Sequence, residues 1–252
     1  MANELLKLDK ISLNYHTLKH ETQAIKDISF TVNNGEFISI VGPSGCGKTT
    51  LLSIISGILP ASKGNVYLQG VPTCQIKNKI GYMFQADHLF EWRTVWQNVK
   101  LGLEINHNKD SKNLEYLKEL LTKYGLYDFL DKYPKHLSGG MRQRVALIRT
   151  LAIKPELLLL DEPFGALDYQ TKKTVVQDVS SIISNEQKTS ILVTHDIGEA
   201  VSLSDKIIVL SKRPSIVKNE FTSNLREIPL IEDRKKTKEY YTLVDKIWKE
   251  LT

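Results

Sequence analysis

Cysteine is scarce in this sequence of 252 residues, which has only Cys46 and Cys74. Two cysteines cannot build the network of cross-links that holds small secreted domains together. The sequence therefore excludes a disulfide framework and favours a reduced, cytosolic setting. Internal repeats and low-complexity linkers are also missing, so the chain does not have the pattern of a repeat protein.

Long hydrophobic runs are missing as well. The longest apolar stretch, 51–59, is interrupted by Ser53, Ser56 and Gly57 and is far shorter than the roughly 20 residues that a membrane-crossing helix needs. The segment Met1–Glu4 shows no basic stretch followed by an apolar run, so no signal peptide is expected. If the protein works at a membrane, we expect another chain to span it.

Charge of one sign is not in strong excess, because 34 lysines and arginines face 29 aspartates and glutamates. The formal net charge of +5 is compatible with an anionic partner, but it is more typical of a solvated, lysine-rich surface. Apolar residues make up 41% of the chain, enough for one domain with a subdomain to bury a sizeable core.

Apolar runs in the first third of the chain predict short β-strands at 11–15, 28–32, 37–41, 64–68 and 80–84. Asn34-Gly35 predicts a hairpin turn between the second and the third of these strands. The pattern is helical from about 92 to 153 and again at the amphipathic end of the chain. Between these segments, buried strands alternate with helices, which is typical of an open α/β sheet.

The strongest chemical signal is the stretch GPSGCGKTT at 42–50. It matches the spacing of a phosphate-binding P-loop, and it lies between a strand and a helix as that motif requires. Its glycines let N–H groups turn toward phosphates, and the helix N-terminus adds a partial positive charge. We expect Lys48 to reach the β- and γ-phosphates and the Thr49 hydroxyl to bind Mg²⁺. The predicted nucleotide-binding residues here are Gly42, Pro43, Ser44, Gly45, Cys46, Gly47, Lys48, Thr49 and Thr50.

A second acidic motif follows four consecutive leucines. Leu157–Leu160 predict a strand buried on both faces, and ligands bind beyond the carboxyl ends of such strands in open α/β sheets. We expect Asp161 to hold Mg²⁺ and Glu162 to polarise the attacking water as a general base. The alternative is that Asp161 only caps a helix and that Glu162 is solvated.

Two more polar residues end predicted strands. Gln85 follows the strand 80–84, and His195 follows the apolar run 191–194. From these strand ends Gln85 could ligate Mg²⁺ or its water, and His195 would lie near the γ-phosphate. A structural hydrogen bond is the alternative role for His195, and Gln85 by itself would carry no meaning.

A pair of glycines precedes a helical pattern in LSGGMRQR at 137–144. Inside a helix, Gly139 and Gly140 would each cost about 1 kcal/mol relative to alanine. At a helix start, Ser138-Gly139-Gly140 instead presents N–H groups and a favourable dipole, which predicts a second phosphate-binding surface. The octapeptide alone does not exclude an ordinary loop with Ser138 as the helix cap.

Together these motifs resemble the ATP-binding subunit of an ABC transporter, and the resemblance covers essentially the whole chain. GPSGCGKTT is similar to the family's Walker A motif, LLLLDEP to its Walker B motif and LSGGMRQR to its signature. By the same resemblance, Gln85 is the Q-loop residue, His195 is the switch histidine, and GALD at 165–168 is the D-loop. Tyr15 lies where the family stacks an aromatic ring on adenine, although alone it is an ordinary strand residue and Asp168 a turn or cap residue.

The resemblance implies a P-loop NTPase core, of α/β class, with an N-terminal antiparallel β subdomain and an inserted α-helical subdomain. In a single domain, 1–85 and 157–252 would form the core and 86–156 the helical subdomain. ATP and Mg²⁺ are the implied cofactors, and two copies would pair head to tail, with each signature facing the ATP of the other copy. The implied nucleotide contacts outside the P-loop are Tyr15, Gln85, Ser138, Gly139, Gly140, Asp161 and Asp168, and the implied catalytic residues are Glu162 and His195.

The resemblance extends to bacterial importers that use an extracellular solute-binding protein. The stretches FEWRTVWQNVKLGLE and IWKEL are most similar to the nitrate, sulfonate and taurine group, which also contains importers of thiamine precursors and of riboflavin. The implied partners are two transmembrane permease subunits and, indirectly, the solute-binding protein, at the cytoplasmic face of the membrane; no nucleic acid is expected. The chain departs from the group at Glu91, where proline usually precedes Trp92, and at Gly198, where an acidic residue is common.

Two other classes of protein remain as alternatives. ABC-type ATPases also act on ribosomes or on DNA, and a basic chain fits either role, although such proteins usually carry two cassettes or a long coiled-coil insert. A P-loop small-molecule kinase would leave LSGGMRQR and Asp168 unexplained.

Overall fold

The computed structural model describes residues 4–16, 21–76, 78–108, 110–165 and 167–252. The chain divides into two compact units, one formed by Met1–Lys77 together with Gln187–Thr252 and the other by Asn78–Glu186. The second unit therefore takes in the segment 86–156 and also the strands on either side of it. Within the described ranges, no helix is both long enough and apolar enough to cross a membrane.

The first unit opens with an antiparallel sheet and a buried strand. Its first elements are β1 (Glu4–His16), β2 (Glu21–Asn33), β3 (Phe37–Val41), α1 (Lys48–Ile55), β4 (Lys63–Leu68) and β5 (Val71–Pro72). The antiparallel sheet has the order β2-β1-β4-β5. β1 and β2 remain paired through several register shifts, one of them next to Lys10 (φ 51°). Such a bulge lets a strand continue where the alternation of its side chains breaks.

The second unit combines two parallel strands with most of the helices. Its elements are β6 (Ile80–Met83), α2 (Val95–Val99), α3 (Leu101–Ile105), α4 (Ser111–Lys123), α5 (Gly139–Leu151), β7 (Leu157–Asp161) and α6 (Tyr169–Asn185). β6 runs parallel to β7, and α5 packs against both α2 and α6. Polar residues start the helices: Thr94 and Gln97 form a capping box on α2, and Asp110 caps α4.

The last elements return to the first unit. They are β8 (Thr189–Val193), α7 (Ile197–Leu203), β9 (Lys206–Leu210), β10 (Val217–Thr222), α8 (Ile231–Arg234) and α9 (Lys238–Leu251). Within this unit the strand order is β10-β9-β3-β8, with β3 parallel to both β8 and β9. Every residue of β3 and β8 is buried, as in parallel strands covered on both faces. Buried Leu243 and Ile247 of α9 pack in one cluster with Val41, the last residue of β3.

Two expectations for the start of the chain are wrong. The predicted hairpin at Asn34-Gly35 is instead a turn between two sheets, because β2 belongs to the antiparallel sheet and β3 to the parallel strands. Gly35, with φ 78°, donates its N–H to Thr189 Oγ1 at 2.8 Å, so the turn is anchored on β8. The two strands before it are not short, since each spans 13 residues. Sequence reasoning also missed α7, β10 and α8.

Candidate nucleotide-binding site

The first unit carries the glycine loop 42–47, which joins the end of β3 to the start of α1. Gly45 and Gly47 have φ angles of 71° and 119°, a backbone conformation that L side chains rarely adopt. Gly47 is the N-cap of α1 and gives the helix no side-chain hydrogen bond. The start of α1 is therefore shaped to direct backbone N–H groups and partial positive charge at an anion instead of at a capping side chain.

Lys48 places a positive charge inside this loop. The residue is 6% exposed, and its Nζ donates to the carbonyl oxygens of Gly42 (2.8 Å) and Pro43 (3.1 Å). A buried ammonium is costly without such partners, and it has three N–H groups to donate. Two of them are used within the described part of the chain, so this geometry fits a third bond to the oxygen of a phosphate.

Cys46 holds the loop in shape. It is buried, its N–H donates to the Pro43 carbonyl at 3.2 Å, and its own carbonyl accepts from Ser215 Oγ at 2.7 Å. A Cβ added at Gly42 would lie 2.9 Å from Cys46 Sγ and 3.2 Å from Leu210, so only glycine fits at that position. The thiol and the N–H of Cys46 thus make contacts inside the protein.

An exposed aromatic ring lies beside the first turn of α1. Tyr15 of β1 is 40% exposed, and its hydroxyl is hydrogen-bonded to the hydroxyl of Thr50 at 3.2 Å. This contact holds the hydroxyl end of the exposed ring beside the helix that starts at the glycine loop. An exposed aromatic ring can stack on an aromatic ligand. Ser44 of the loop and Thr49 of the first turn are exposed.

His195 lies at the same end of the parallel strands as the glycine loop. β8 runs parallel to β3, and the N–H of Thr194 donates to the Ile40 carbonyl at 3.3 Å. The two strands therefore end together, with the glycine loop after one and the exposed His195 after the other. Asp196 follows and caps α7 by accepting the N–H of Glu199 at 3.1 Å.

In the second unit, the carboxyl ends of the parallel strands β6 and β7 lie side by side. Gln85, Asp161 and Glu162 lie at these ends or just beyond them. Asp161, the last residue of β7, is buried, and its Oδ2 accepts from the Tyr82 hydroxyl at 3.2 Å. Glu162 turns away from the strand with φ 43°, a left-handed conformation that costs energy for any residue with a side chain. A Cβ added at Gly165 would lie 3.8 Å from both Gln85 Nε2 and Glu162 Oε2, so these two side chains converge there.

The signature segment 137–144 forms a capped helix start. Ser138 is the N-cap of α5, and its Oγ accepts the N–H of Met141 at 3.3 Å. A Cβ added at Gly140 would lie only 2.7 Å from Val175 Cγ2 of α6, so glycine is required there by the close approach of the two helices. Gly139 is half-buried, and Ser138 remains exposed at the tip of the helix.

The D-loop stretch ends in another helix cap. Ala166 lies outside the described residues, whereas Asp168 is exposed and caps α6 by accepting the N–H of Thr171 at 3.1 Å. Hydrogen bonds from Thr171, first from its side chain and then from its backbone, hold the pKa of Asp168 below its usual value. The carboxylate is therefore stabilised in its charged form.

Sequence reasoning missed two contact residues of these segments. Tyr82 donates to Asp161, and Ser215 donates to the carbonyl of Cys46. Tyr82 lies three residues before Gln85, on a strand predicted to end near Asp161. That position could have identified it as a neighbour of Asp161. No pattern in the sequence marks Ser215.

The chemistry of the donors also fits a hard cation. Mg²⁺ prefers oxygen ligands and keeps several waters or phosphate oxygens among them. The Thr49 hydroxyl of the first unit and the Asp161 carboxylate of the second unit are each an oxygen group of this kind. Within the described residues, no group of three or more His, Cys, Asp or Glu side chains is placed to hold a metal ion.

Comparison with known proteins gives relatives over nearly the whole chain. The uncharacterized ABC transporter ATP-binding protein YtlC of Bacillus subtilis is 46% identical over 247 residues, or 98% of this chain and 95% of that protein. The aliphatic sulfonates import ATP-binding protein SsuB of Bacillus cereus is 37% identical over 87% of this chain and 86% of its own length. Nitrate and taurine import ATP-binding proteins match at 36% to 41% identity over most of the chain.

A solved structure and a family profile agree with these relatives. The dimeric ATP-binding cassette MJ0796, in a post-hydrolysis state bound to ADP and phosphate, matches with a TM-score of 0.73 at 32% identity, over 86% of this chain and 98% of that one. The profile of the ABC transporter family matches residues 25–165. This chain belongs to the ABC transporter family, as one of its ATP-binding ATPases.

Proposed function

We propose that this chain is the ATP-hydrolysing subunit of an importer that works with an extracellular solute-binding protein and carries a small anion such as a sulfonate, nitrate or taurine. Nucleotide binding is supported above all by the buried ammonium of Lys48, which donates to two carbonyls of a glycine loop at a helix start. The direction of transport and the solute class are supported by the sulfonate, nitrate and taurine import proteins among the relatives.

The proposed nucleotide contacts follow from the geometry within each unit and from the family resemblance. The loop 42–50 binds the phosphates of ATP, and Tyr15 stacks on the adenine. Thr49, Gln85 and Asp161 hold Mg²⁺ through hydroxyl, amide and carboxylate oxygens. Bound Mg²⁺ supplies positive charge that stabilises the phosphate oxygens during transfer.

Hydrolysis is assigned to two side chains. Glu162 accepts a proton from the attacking water as general base, and His195 orients that water near the γ-phosphate. The convergence of Glu162 and Gln85 at Gly165 supports the first assignment, because it places the carboxylate beside a proposed metal ligand. The place of His195, beyond the same strand ends as the glycine loop, supports the second.

Two copies are proposed to form the working unit. Ser138, Gly139 and Gly140 of one copy, together with Asp168 at the contact between copies, face the ATP bound by the other copy. The dimeric state of the MJ0796 cassette supports the pairing of two copies. ATP binding closes the dimer and drives two permease subunits to one orientation, at the cytoplasmic face of the membrane; hydrolysis reopens it.

A charge-removing variant tests the hydrolysis mechanism. We expect Glu162→Gln to bind ATP and dimerise, while its turnover falls by about 10²- to 10⁴-fold, the usual contribution of a general base. Glu227→Gln, at an exposed glutamate on the surface of the first unit, is the matched control and should retain full turnover. Vigorous hydrolysis by Glu162→Gln would remove Glu162 from this role.

A pull-down from solubilised membranes of the host tests the partners. We expect a tagged chain to recover a polytopic permease and a solute-binding protein, which mass spectrometry would identify. The solute-binding protein could then be screened for its ligand by thermal shift, and a vitamin precursor as the ligand would overturn the anion assignment. Recovery of ribosomes or DNA-bound complexes without a membrane protein would overturn the transport function itself.

A further inference from the structure

The turn that follows His195 is held by a ring of hydrogen bonds. Thr194 Oγ1 donates to the buried carboxylate of Glu199 at 2.6 Å and accepts the N–H of Asp196 at 3.0 Å. The Asp196 carboxylate in turn accepts the N–H of Glu199 at 3.1 Å. Because His195 lies inside this ring of bonds, anything that moves Asp196 or the first turn of α7 moves the backbone that presents His195.

Tyr240 of α9 reaches this turn from the C-terminal part of the chain. A Cβ added at Gly198, in the first turn of α7, would lie 2.8 Å from the Tyr240 hydroxyl oxygen and 3.1 Å from Asp196 Oδ1. The phenol and the carboxylate therefore approach the same point, and glycine at 198 makes room for both. Burial, and then the nearby charge of Asp196, raises the pKa of Tyr240, so its hydroxyl stays protonated as a possible donor.

The helix that carries Tyr240 is itself well anchored. Leu243 and Ile247 on the same helix are buried in one cluster with Ile197 and Ala200 of α7, and Tyr240 packs against that cluster. Thr237 caps the start of α9 by accepting the N–H of Tyr240 at 3.2 Å. A fixed helix can hold a neighbouring turn in place, whereas a loose one would follow it.

We propose that Tyr240 is a positioning residue for His195: its phenol, held by α9 against Gly198 and Asp196, fixes the turn that presents the imidazole. The effect on catalysis rests on the proposed role of His195 in hydrolysis, but the positioning itself does not. Neither α9 nor Tyr240 touches the nucleotide in this proposal. The C-terminal helix instead acts through the turn between β8 and α7.

The direct test follows the imidazole resonance of His195 by NMR in the full-length chain, assigned by its disappearance in His195→Gln. We expect Tyr240→Ala to shift this resonance, and Tyr240→Phe to shift it less. Trp248→Ala, at an exposed aromatic residue further along the same helix, is the control and should leave it unchanged. A His195 resonance that responds to Tyr240→Ala no more than to Trp248→Ala would overturn the proposal.

A compensating pair of variants tests the contact even if Tyr240→Ala does not fold. Gly198→Ala adds the Cβ that meets the phenol oxygen, and alanine is favourable in a helix, so we expect a folded protein with a shifted His195 resonance. Adding Tyr240→Phe removes that oxygen, so we expect the His195 resonance to return most of the way to its position in the parent protein. If the His195 resonance of Gly198→Ala stays equally shifted when Tyr240→Phe is added, the proposed contact is contradicted.

Turnover separates this inference from the proposed function. Because a small misplacement of a catalytic group is costly, we expect kcat for ATP to fall about tenfold in Gly198→Ala, while KM changes less than about twofold. A shifted His195 resonance with unchanged kcat would uphold the positioning and overturn the role of His195 in hydrolysis. An unchanged resonance with reduced kcat would overturn the positioning and leave that role standing.

Discussion

The helices α1 and α5 both begin at glycine-rich turns, yet their first residues have different surroundings. α1 starts after Gly47, which has φ 119° and provides no side-chain cap. α5 starts after Ser138, whose hydroxyl caps the helix, and its Gly140 is pressed against Val175 of α6. Glycine is required at the first start by backbone conformation and at the second by contact between two helices.

Glycine at a helix start therefore has two physical causes, which the sequence does not separate. At α1 no side chain caps the helix start, and a buried lysine adds positive charge beside it. At α5 part of the helix start is already satisfied by Ser138, so what it offers a ligand is the serine hydroxyl and the dipole. A phosphate at α5 would need a second surface to complete its site, as in the proposed head-to-tail dimer.

The largest effect is expected at α1, from Lys48→Met. This change keeps a long unbranched side chain and removes the charge that the Gly42 and Pro43 carbonyls hold in the loop. We expect ATP hydrolysis to fall by about 10²- to 10³-fold, as when a preorganised donor is removed from a developing charge. Steady-state hydrolysis and ATP binding by the purified chain measure it, with the exposed Lys246→Met as control. Equal turnover in the two variants would separate the glycine loop from the reaction.

Much of the parallel-strand framework could be predicted from the sequence. β3 has the predicted bounds, and β6, β7 and β8 agree with prediction within two residues, because each is an apolar run between turn residues. The same holds for β4 of the antiparallel sheet. The hairpin at Asn34-Gly35 was not predictable, since two-residue turn chemistry does not say which sheet the next strand joins. The length of β1 was hidden by the bulge at Lys10, where the alternation stops.

The candidate site was predictable as a set of motifs and not as a set of contacts. The glycine loop, Asp161 and His195 were found because each follows an apolar strand. The packing role of Gly140 depends on Val175, a residue 35 positions later that no local pattern connects to it. The contact of Tyr240 with Gly198 is equally non-local, and a tyrosine in an amphipathic helix carries no signal of it.

The next effect concerns stability and tests whether the two kinds of glycine differ. Gly140→Ala places a Cβ 2.7 Å from Val175 Cγ2, so we expect the free energy of unfolding to fall by about 1–3 kcal/mol through overpacking. Val175→Ala added to it removes the clashing atoms and should recover part of that loss. A Cβ at Gly45 would have open space around it, so Gly45→Ala is costly only through its left-handed backbone. We expect it to lower the free energy of unfolding by about 1–2 kcal/mol, and Val175→Ala should not change that loss. Chemical denaturation measures both.

The comparison would fail if the two glycines behaved alike. A Gly140→Ala loss that Val175→Ala leaves unchanged would mean that the contact with α6 is not what requires glycine in α5.

A smaller effect is expected from the cap of α5. Ser138→Ala removes the acceptor of the Met141 N–H, which should lower the free energy of unfolding by about 1 kcal/mol. Ser138→Asn keeps a good cap and should restore most of the stability, while changing the group that faces a ligand. Thermal unfolding of the three proteins measures the difference. If Ser138→Ala and the parent protein unfold at the same temperature, the cap is not holding the helix start.

The smallest effect contrasts the neutral cap of α5 with the charged cap of α6. Hydrogen bonds from Thr171 lower the pKa of Asp168 in the folded state, so its carboxylate favours folding at pH values above the unfolded pKa of about 3.9. That contribution is lost as the pH falls through the lower, folded pKa. Asp168→Asn keeps a helix cap but does not titrate.

We therefore expect the melting temperature of the parent protein to exceed that of Asp168→Asn near neutral pH, and the gap to close as the solution is made more acidic than the folded pKa of Asp168. Ser138→Asn, which exchanges one neutral cap for another, should show the same difference from the parent at every pH. Only a charged cap can lose its advantage by binding a proton. If the difference in melting temperature between the parent protein and Asp168→Asn stays constant through the acid range, it comes from the shape of the side chain and not from its charge.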